Sequence, residues 1–168
     1  MLTVRTVDVK TDRDTLLELH CCGNYESDTP WARTISYEKY RKKWLSTSQP
    51  ESFLAHLAES TEDVRTIAEI WEEDGTIVGY VWVTFTDVKD YDVTIAEVND
   101  IAVSQLHRRK GIGSEILKHV EQLARKRGVH LLRSETGIEN TASAGLHLKV
   151  GFKPYRIQYE KVLVDKPS

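Results

Sequence analysis

The sequence is short of most features that mark secreted, membrane-spanning or metal-held proteins. Only two of its 168 residues are cysteine, the adjacent Cys21 and Cys22. Neighbouring cysteines are badly placed to close a structural disulfide or to supply a spaced metal site, so both read as reduced thiols near a helix end. No apolar run is long enough to cross a bilayer, and the opening stretch MLTVRTVDVK has no signal-peptide core, which leads us to expect a cytoplasmic location and no membrane partner. The histidines (His20, His56, His107, His119, His130 and His147) show no ligand spacing with cysteines or acids, and no metal is expected. An excess of positive charge is missing too. With 23 Lys and Arg against 26 Asp and Glu, net −3, general affinity for nucleic acid is not expected. Repeats, linkers and low-complexity segments are absent.

What remains is an ordinary domain, 40% hydrophobic and 29% charged, long enough to bury its own core. Its charge is segregated. Between Ser104 and Arg133 stand eight bases (Arg108, Arg109, Lys110, Lys118, Arg125, Lys126, Arg127, Arg133) against Glu115 and Glu121; between Glu59 and Asp100, twelve acids face Arg65 and Lys89. Such a chain can present opposite potentials to two different ligands.

Hydrophobic periodicity divides the chain. A short strand is expected at Thr3–Val7, then a helix capped by Asp12 and ending near Cys22, then a loop at GNYESDTP. Ser36 is a candidate N-cap for a helix whose Tyr37, Tyr40 and Trp44 recur at helical spacing; with Trp31 they could line a pocket, though such a stripe more often belongs to the core. Another helical piece follows Pro50. From Thr66 the pattern is that of strands: a hairpin turning at Asp74-Gly75, then a strand to Val103. Gly113–Arg127 reads as an amphipathic helix stopped by Gly128, VHLLRSE as a strand, NTASAGLHLKV as a short helix and KPYRIQYEKVLV as a last strand. This order implies an α/β fold with a single mixed, mostly antiparallel central sheet flanked by helices.

The stretch RRKGIG joins a strand to a long helix. The first amides of a helix lack internal partners, its dipole is positive there, and glycines leave the backbone bare; this is the chemistry of a phosphate cradle. P-loop and Rossmann spacings do not fit it. Arg-x-x-Gly-x-Gly, Arg108 to Gly113, following VNDIAV and leading into that helix, resembles the main motif of the GNAT superfamily of acyl-CoA-dependent N-acyltransferases. NTASAGLHLKVGF, Asn140 to Phe152, is similar to that family's Asn-led helix. The likeness covers about residues 66–160, leaving residues 1–60 as variable, substrate-facing helices of the same single domain.

By position, the resemblance implies that the amides of Arg109, Lys110, Gly111, Ile112, Gly113 and Ser114 hold the pyrophosphate of acetyl-CoA, with Arg108 shaping the loop. It also implies that the main chain of Ile101, Ala102 and Val103 pairs with the pantetheine arm and that Asn140 touches the arm from the other side. Transfer to an amine requires a base, because an alkyl ammonium must lose a proton before attack. Glu97 is the first candidate, since some members carry a base at this position; Asn99 and Asp100 stand in reserve. Alternation would put Glu97, Asn99, Ile101 and Val103 on one face and Asp100 on the other. Where many members carry a tyrosine acid, this chain has His147, either an acid for the departing thiolate or a packing residue. The acceptor is expected to be a small-molecule amine. A protein N-terminus or lysine, a non-catalytic acyl-CoA sensor, and a homodimer stay open.

Overall fold

The structure is a computed structural model that describes residues 1–27, 32–161 and 163. Its elements are β1 (Leu2–Thr6), α1 (Arg13–Ser27), α2 (Tyr37–Leu45), α3 (Gln49–Thr61), β2 (Thr66–Glu73), β3 (Thr76–Val88), β4 (Val93–Val103), α4 (Ile112–Lys126), β5 (Leu131–Ser134) and α5 (Thr141–Lys149). The strands form one sheet in the order β1-β2-β3-β4-β5. Every pairing is antiparallel except β4 with β5. Among the described residues no helix is long and apolar enough to cross a membrane.

Helices cover both faces. On one, α1–α3 bury Leu16, Tyr40, Trp44, Phe53 and Leu57 against Ile70, Tyr80 and Ala102 of the sheet. On the other, Ile116, Leu117 and Val120 of α4 meet Val78, Val81, Val83, Ala96 and Val98. Each such fully buried aliphatic side chain stabilises the fold by about 1.5–3 kcal/mol. The aromatic stripe of α2 therefore belongs to the core through Tyr40 and Trp44, whereas Trp31, together with Pro30, lies outside the described residues.

Local signals explain most boundaries. The Ser36 side chain accepts the Lys39 amide as an N-cap, and the β2–β3 hairpin turns through Asp74-Gly75. Four expectations need correction. Asp12 does not cap α1 with its side chain: the carboxylate turns back to take the Asp8 amide at 2.9 Å and the Arg5 guanidinium at 2.7 and 2.8 Å. α1 does not stop near Cys22 but runs to Ser27, because Tyr25 packs against Tyr37 and Tyr40, and Arg108 holds Glu26. Residues 153–161 form no strand. Tyr155, Ile157 and Tyr159 alternate as strand residues do but stay exposed, and alternation builds a strand only where one face has something to bury against. Finally, β4 is not a regular two-period strand. Trp82 faces Asp100 and Val83 faces Val98, so Asn99 is an extra, bulged residue.

Candidate functional site

The bulge decides what β4 presents. Ile101 and Val103 pack with the α4 side of the sheet, and Ala102 with the α1–α3 side. Glu97 is opposite Thr84, Asp100 is opposite Trp82, and Asn99 exchanges hydrogen bonds with Thr84 at 3.1 and 3.4 Å. Glu97, Asn99 and Asp100 thus gather on the α1–α3 face, and Ile101 and Val103 do not share it. Glu97 and Asn99 are exposed.

β5 accompanies β4 only from Ile95↔Leu131 to Val98↔Ser134. Beyond that point β4 continues through Val103 with no strand beside it among the described residues, so the edge of residues 99–103 is free of a ladder, and Arg108 Nε takes the Val103 carbonyl at its end. The chain then makes a 3-10 turn at Gln105–His107 and enters α4 through two left-handed residues, Arg109 (φ 66°) and Gly111 (φ 89°). A left-handed conformation is strained for arginine and natural for glycine, so Gly111 holds the sharper turn at no steric cost. Ser114 and Glu115 donate to the Gly111 carbonyl at 2.9 and 3.1 Å, while the amides of Arg109, Lys110, Gly111, Ile112 and Gly113 find no backbone acceptor among the described residues. Ile112 and Gly113 are orphan donors of the helix start, and the N-cap Gly111 with the preceding Lys110 and Arg109 extends the row to five at the positive end of a helix of 15 residues.

The three bases ahead of the helix differ. Arg108 is committed: its guanidinium takes both oxygens of Glu26 at 2.6 and 3.0 Å, and its Nε donates to the Val103 carbonyl at 3.1 Å. That bond to Glu26 keeps Arg108 charged and ties the loop to α1. Arg109 and Lys110 are exposed, Lys110 lying 3.9 Å from Glu73. Gly113 has a packing role, since a Cβ there would come within 2.9 Å of Leu146 of α5. The bare backbone at this position lets α5 approach the start of α4.

Asn140 is the N-cap of α5; its Oδ1 accepts the Ser143 amide at 3.0 Å and its Nδ2 donates to Ser27 Oγ at 3.0 Å. His147 is buried between β5 and α5. Its Nδ1 lies 2.7 Å from the Ser143 carbonyl and must carry the proton there, so Nε2, 2.7 Å from Ser134 Oγ, accepts from that hydroxyl. Tyr25, Glu26, Arg33, Arg108 and Asn140 line a cavity of about 330 Å³ between α1 and the start of α5. A second, of about 400 Å³, lies over the α1–α3 face between Glu59 and Asp63 at the end of α3 and Trp82 and Thr84 of β3.

Three features of this site carry no local sequence signal. Glu26, the partner of Arg108, is 82 residues away from it in the chain. Ser134 is paired with His147. His20 of α1 hydrogen-bonds Asp100, which also accepts from the Tyr80 hydroxyl. Cys21 and Cys22 are free and buried, and burial pushes the Cys21 thiol up to about 11, away from nucleophilic use.

Comparison with known proteins gives this arrangement a family. An uncharacterized N-acetyltransferase of Methanocaldococcus jannaschii is 24% identical over 156 residues, 90% of this chain; the match spans 60% of that longer relative. The solved PaiA N-acetyltransferase of Thermoplasma acidophilum, in complex with coenzyme A, superposes with a TM-score of 0.71 at 20% identity, over 94% of this chain and 93% of its own. An aminoglycoside antibiotic 6'-N-acetyltransferase from Acinetobacter baumannii does so with a TM-score of 0.66 at 15% identity, over 98% and 100%. The match to the Acetyltransferase (GNAT) family runs from residue 27 to residue 152, across the open β4 edge, the glycine loop and α5 alike. The chain belongs to the GNAT acetyltransferase family.

Proposed function

We propose that the protein transfers the acetyl group of acetyl-CoA to a primary amine of a small molecule, by direct attack within a ternary complex. The observation that carries this reading is the edge of β4 over residues 99–103, beside which no strand lies among the described residues, leading into the amides from Arg109 to Gly113 that find no backbone acceptor there. The edge is shaped for an extended, amide-bearing arm and the amides for a pyrophosphate. In this reading Ile101, Ala102 and Val103 pair with the pantetheine through their main chain. Arg109 and Lys110 add charge beside the phosphates, and Arg108 fixes the loop. Asn140 contributes as the cap that sets the start of α5, since its side chain is already bonded to Ser27 and Ser143.

The acceptor approaches over the α1–α3 face. The cavity there is edged by Glu59, Asp63 and Arg65, the arginine paired with Asp87, and Glu97 is exposed on the adjacent strand; the excess of carboxylates favours a cation. That aminoglycoside and other small-molecule acetyltransferases share this fold agrees with a small amine. Glu97 draws in the ammonium group and is the first candidate to take its proton; Asp100, committed to His20 and Tyr80, can act only through the imidazole. A backbone amide of residues 101–103 is the simplest donor to the oxyanion. His147 Nε2 accepts from the Ser134 hydroxyl, so this pair can protonate the leaving sulfur only after the imidazole has taken up a second proton, in which case His147→Phe and Ser134→Ala should both lower kcat. An unchanged kcat leaves water as the proton source.

The test is an amine panel with acetyl-CoA, following release of free CoA thiol, beside calorimetric titration of acetyl-CoA. Amine-dependent release is expected. Binding without release from any amine would make the chain an acyl-CoA sensor, and absence of binding would remove both readings. With a positive amine in hand, Glu97→Gln asks whether that carboxylate removes the proton: a loss of about a hundredfold in kcat assigns it the role.

A further inference from the structure

The α1–α3 face holds a titratable pair that the scheme above does not use. His20 sits on the inner side of α1, and its Nδ1 hydrogen-bonds Asp100 of β4. Its ring stacks on Phe53, with centroids 3.8 Å apart and planes within 5°. Trp44 of α2 closes a further side at 5.9 Å. Asp100 is held in turn by the hydroxyl of the fully buried Tyr80. At the other end of the imidazole, Asn24 Nδ2 lies 3.0 Å from His20 Nε2.

With the Asn24 amide in this orientation, the bonds fit one tautomer. A carboxylate can only accept, so Nδ1 carries the hydrogen; an amide nitrogen can only donate, so Nε2 presents its lone pair. The result is a neutral imidazole, oriented by a carboxylate, with its free basic nitrogen turned away from Asp100 and currently met by an N–H donor. An amine N–H in place of the Asn24 amide would meet the same lone pair. His20 and Asp100 remain one-fifth and about one-sixth exposed, at 20% and 16%.

Position matters as much as chemistry. The free amides that would take the phosphates follow Val103, so an arm laid along β4 from that end runs backwards through Ile101 and places its acyl terminus toward Asn99 and Asp100. Asp100 is where His20 is fastened. The same side of α1 continues through Asn24 to Ser27, which bonds Asn140 at the start of α5. α1 thus bridges the opening between β4 and α5 with its basic nitrogen at the β4 end. Glu97 lies three residues further back, where β4 is still paired with β5 opposite Arg133.

We propose that His20, oriented by Asp100, is the general base that takes the proton from the acceptor ammonium. The inference rests on the acetyl-transfer reading and moves the proton from Glu97 to an imidazole. The ammonium gives one proton to His20 Nε2, and the freed nitrogen lone pair attacks the thioester carbonyl. The C–N bond forms and the C–S bond breaks. The sulfur leaves with its electron pair and takes up a proton, while the nitrogen loses its second, so the sum is amide, free thiol and one proton released from His20 to solvent. Asp100 is a positioning residue, and Tyr80 fixes Asp100. The charged or titratable groups facing His20 are Asp100 from β4 and Tyr80 from β3; α2 and α3 present only the rings of Trp44 and Phe53, and α1 the neutral Asn24.

The experiment compares His20→Asn, Asp100→Asn and Glu97→Gln with the alkylamine returned by the panel and with methoxylamine, which is already unprotonated at neutral pH and needs no base before attack. His20→Asn is expected to lower kcat for the alkylamine by about a hundredfold and for methoxylamine by much less, with Glu97→Gln showing the smaller loss on the alkylamine. Asp100→Asn should shift the pH profile of kcat/KM. In long-range 15N–1H spectra of the unliganded protein, it should also abolish the Nδ1–H tautomer of His20 seen in the wild type. Equal losses for the two nucleophiles in His20→Asn would make His20 structural, and a hundredfold loss confined to Glu97→Gln would return the role to that carboxylate. Acetyl-CoA binding retained in each variant shows that it is folded. No amine turnover by the wild-type chain would instead overturn acetyl transfer itself.

Discussion

Along its outer edge β4 offers main chain: the ladder-free stretch of residues 99–103 and the run of amides without a backbone acceptor at the start of α4. Across its α1–α3 face the same strand offers side chains: Glu97, Asn99 and Asp100, with His20 brought to Asp100 from α1. The difference follows from what each side must recognise in the proposed reaction. A pantetheine arm and a pyrophosphate are the same in every reaction of this kind, and backbone recognises them through geometry that glycines and a strand edge provide. An acceptor amine varies, and only side chains can be exchanged without altering the fold. Donor recognition should therefore respond to changes in backbone shape, and acceptor chemistry to changes in single polar groups.

The most severe way to break the backbone side is Gly113→Val. Its Cβ falls 2.9 Å from the end of the Leu146 side chain, so that side chain must shift, and the added valine methyls press α5 and the start of α4 apart where it cannot. Overpacking of this kind costs about 1–3 kcal/mol. If the strain falls on the amide-bearing turn, the Kd for acetyl-CoA rises by about ten- to a hundredfold. Calorimetry on the folded variant checks it. Full affinity in that variant would mean that side chains, not the amides, hold the donor.

The same division explains what was legible in the sequence. Arg108 to Gly113 is contiguous, so the glycine loop and the family likeness it carries could be read from its spacing, and so could the Asp74-Gly75 hairpin and the Ser36 cap. The acceptor face is assembled from residues 80 apart in the chain for His20 and Asp100, and no local pattern joins them. Reading β4 by strict alternation separated Asp100 from Glu97, because the extra residue at Asn99 leaves no mark in hydropathy. The expected strand at the C-terminal end failed for the converse reason: Tyr155, Ile157 and Tyr159 carry the pattern, but residues 153–161 have no burial to complete it.

α1 is common to both sides, carrying His20 to one and Glu26 to the other, and Asp12 anchors its beginning. Burial opposes the Asp12 charge, yet the Arg5 guanidinium and the Asp8 amide outweigh it and hold the carboxyl below the usual range. A depressed folded pKa means that this stabilisation is fully present above the unfolded value, near 4, and is lost as pH falls through the folded one. Asp12→Ala should lower unfolding free energy by about 2 kcal/mol at pH 7, with the difference from wild type shrinking in acid. Denaturant titrations at both pH values measure it. Acetyl-CoA affinity should not move, which separates anchoring α1 from shaping the loop.

Arg108→Ala tests that shaping directly. The Arg108–Glu26 pair is about one-third exposed on each side, at 35% and 30%, so solvent screening leaves it worth about 1 kcal/mol. Acetyl-CoA should bind about fivefold more weakly, and Glu26→Gln should reproduce the direction, because the arginine works through α1. Arg109→Ala should weaken binding less, by an amount that fades as salt rises. A larger, salt-dependent loss in Arg109→Ala than in Arg108→Ala would give charge the role assigned to loop geometry.

The finest discrimination comes from Tyr80→Phe, which removes one oxygen from the acceptor face and nothing from the edge. Burial, with Asp100 beside it, holds the Tyr80 phenol well above its ordinary range, so it remains a hydrogen-bond donor to Asp100 at any working pH. Its loss should cost about 1 kcal/mol of stability, read from the denaturant midpoint. Asp100 then keeps His20 with one restraint fewer, and kcat should fall a few-fold while acetyl-CoA affinity stays where it was. Tyr80 lies on β3 opposite Ala102, in the strand beside the edge proposed to pair with the donor. Were the two sides of β4 mechanically one, affinity and kcat would drop together in this variant. Separate behaviour at so short a distance is what a backbone site and a side-chain site on a single strand require.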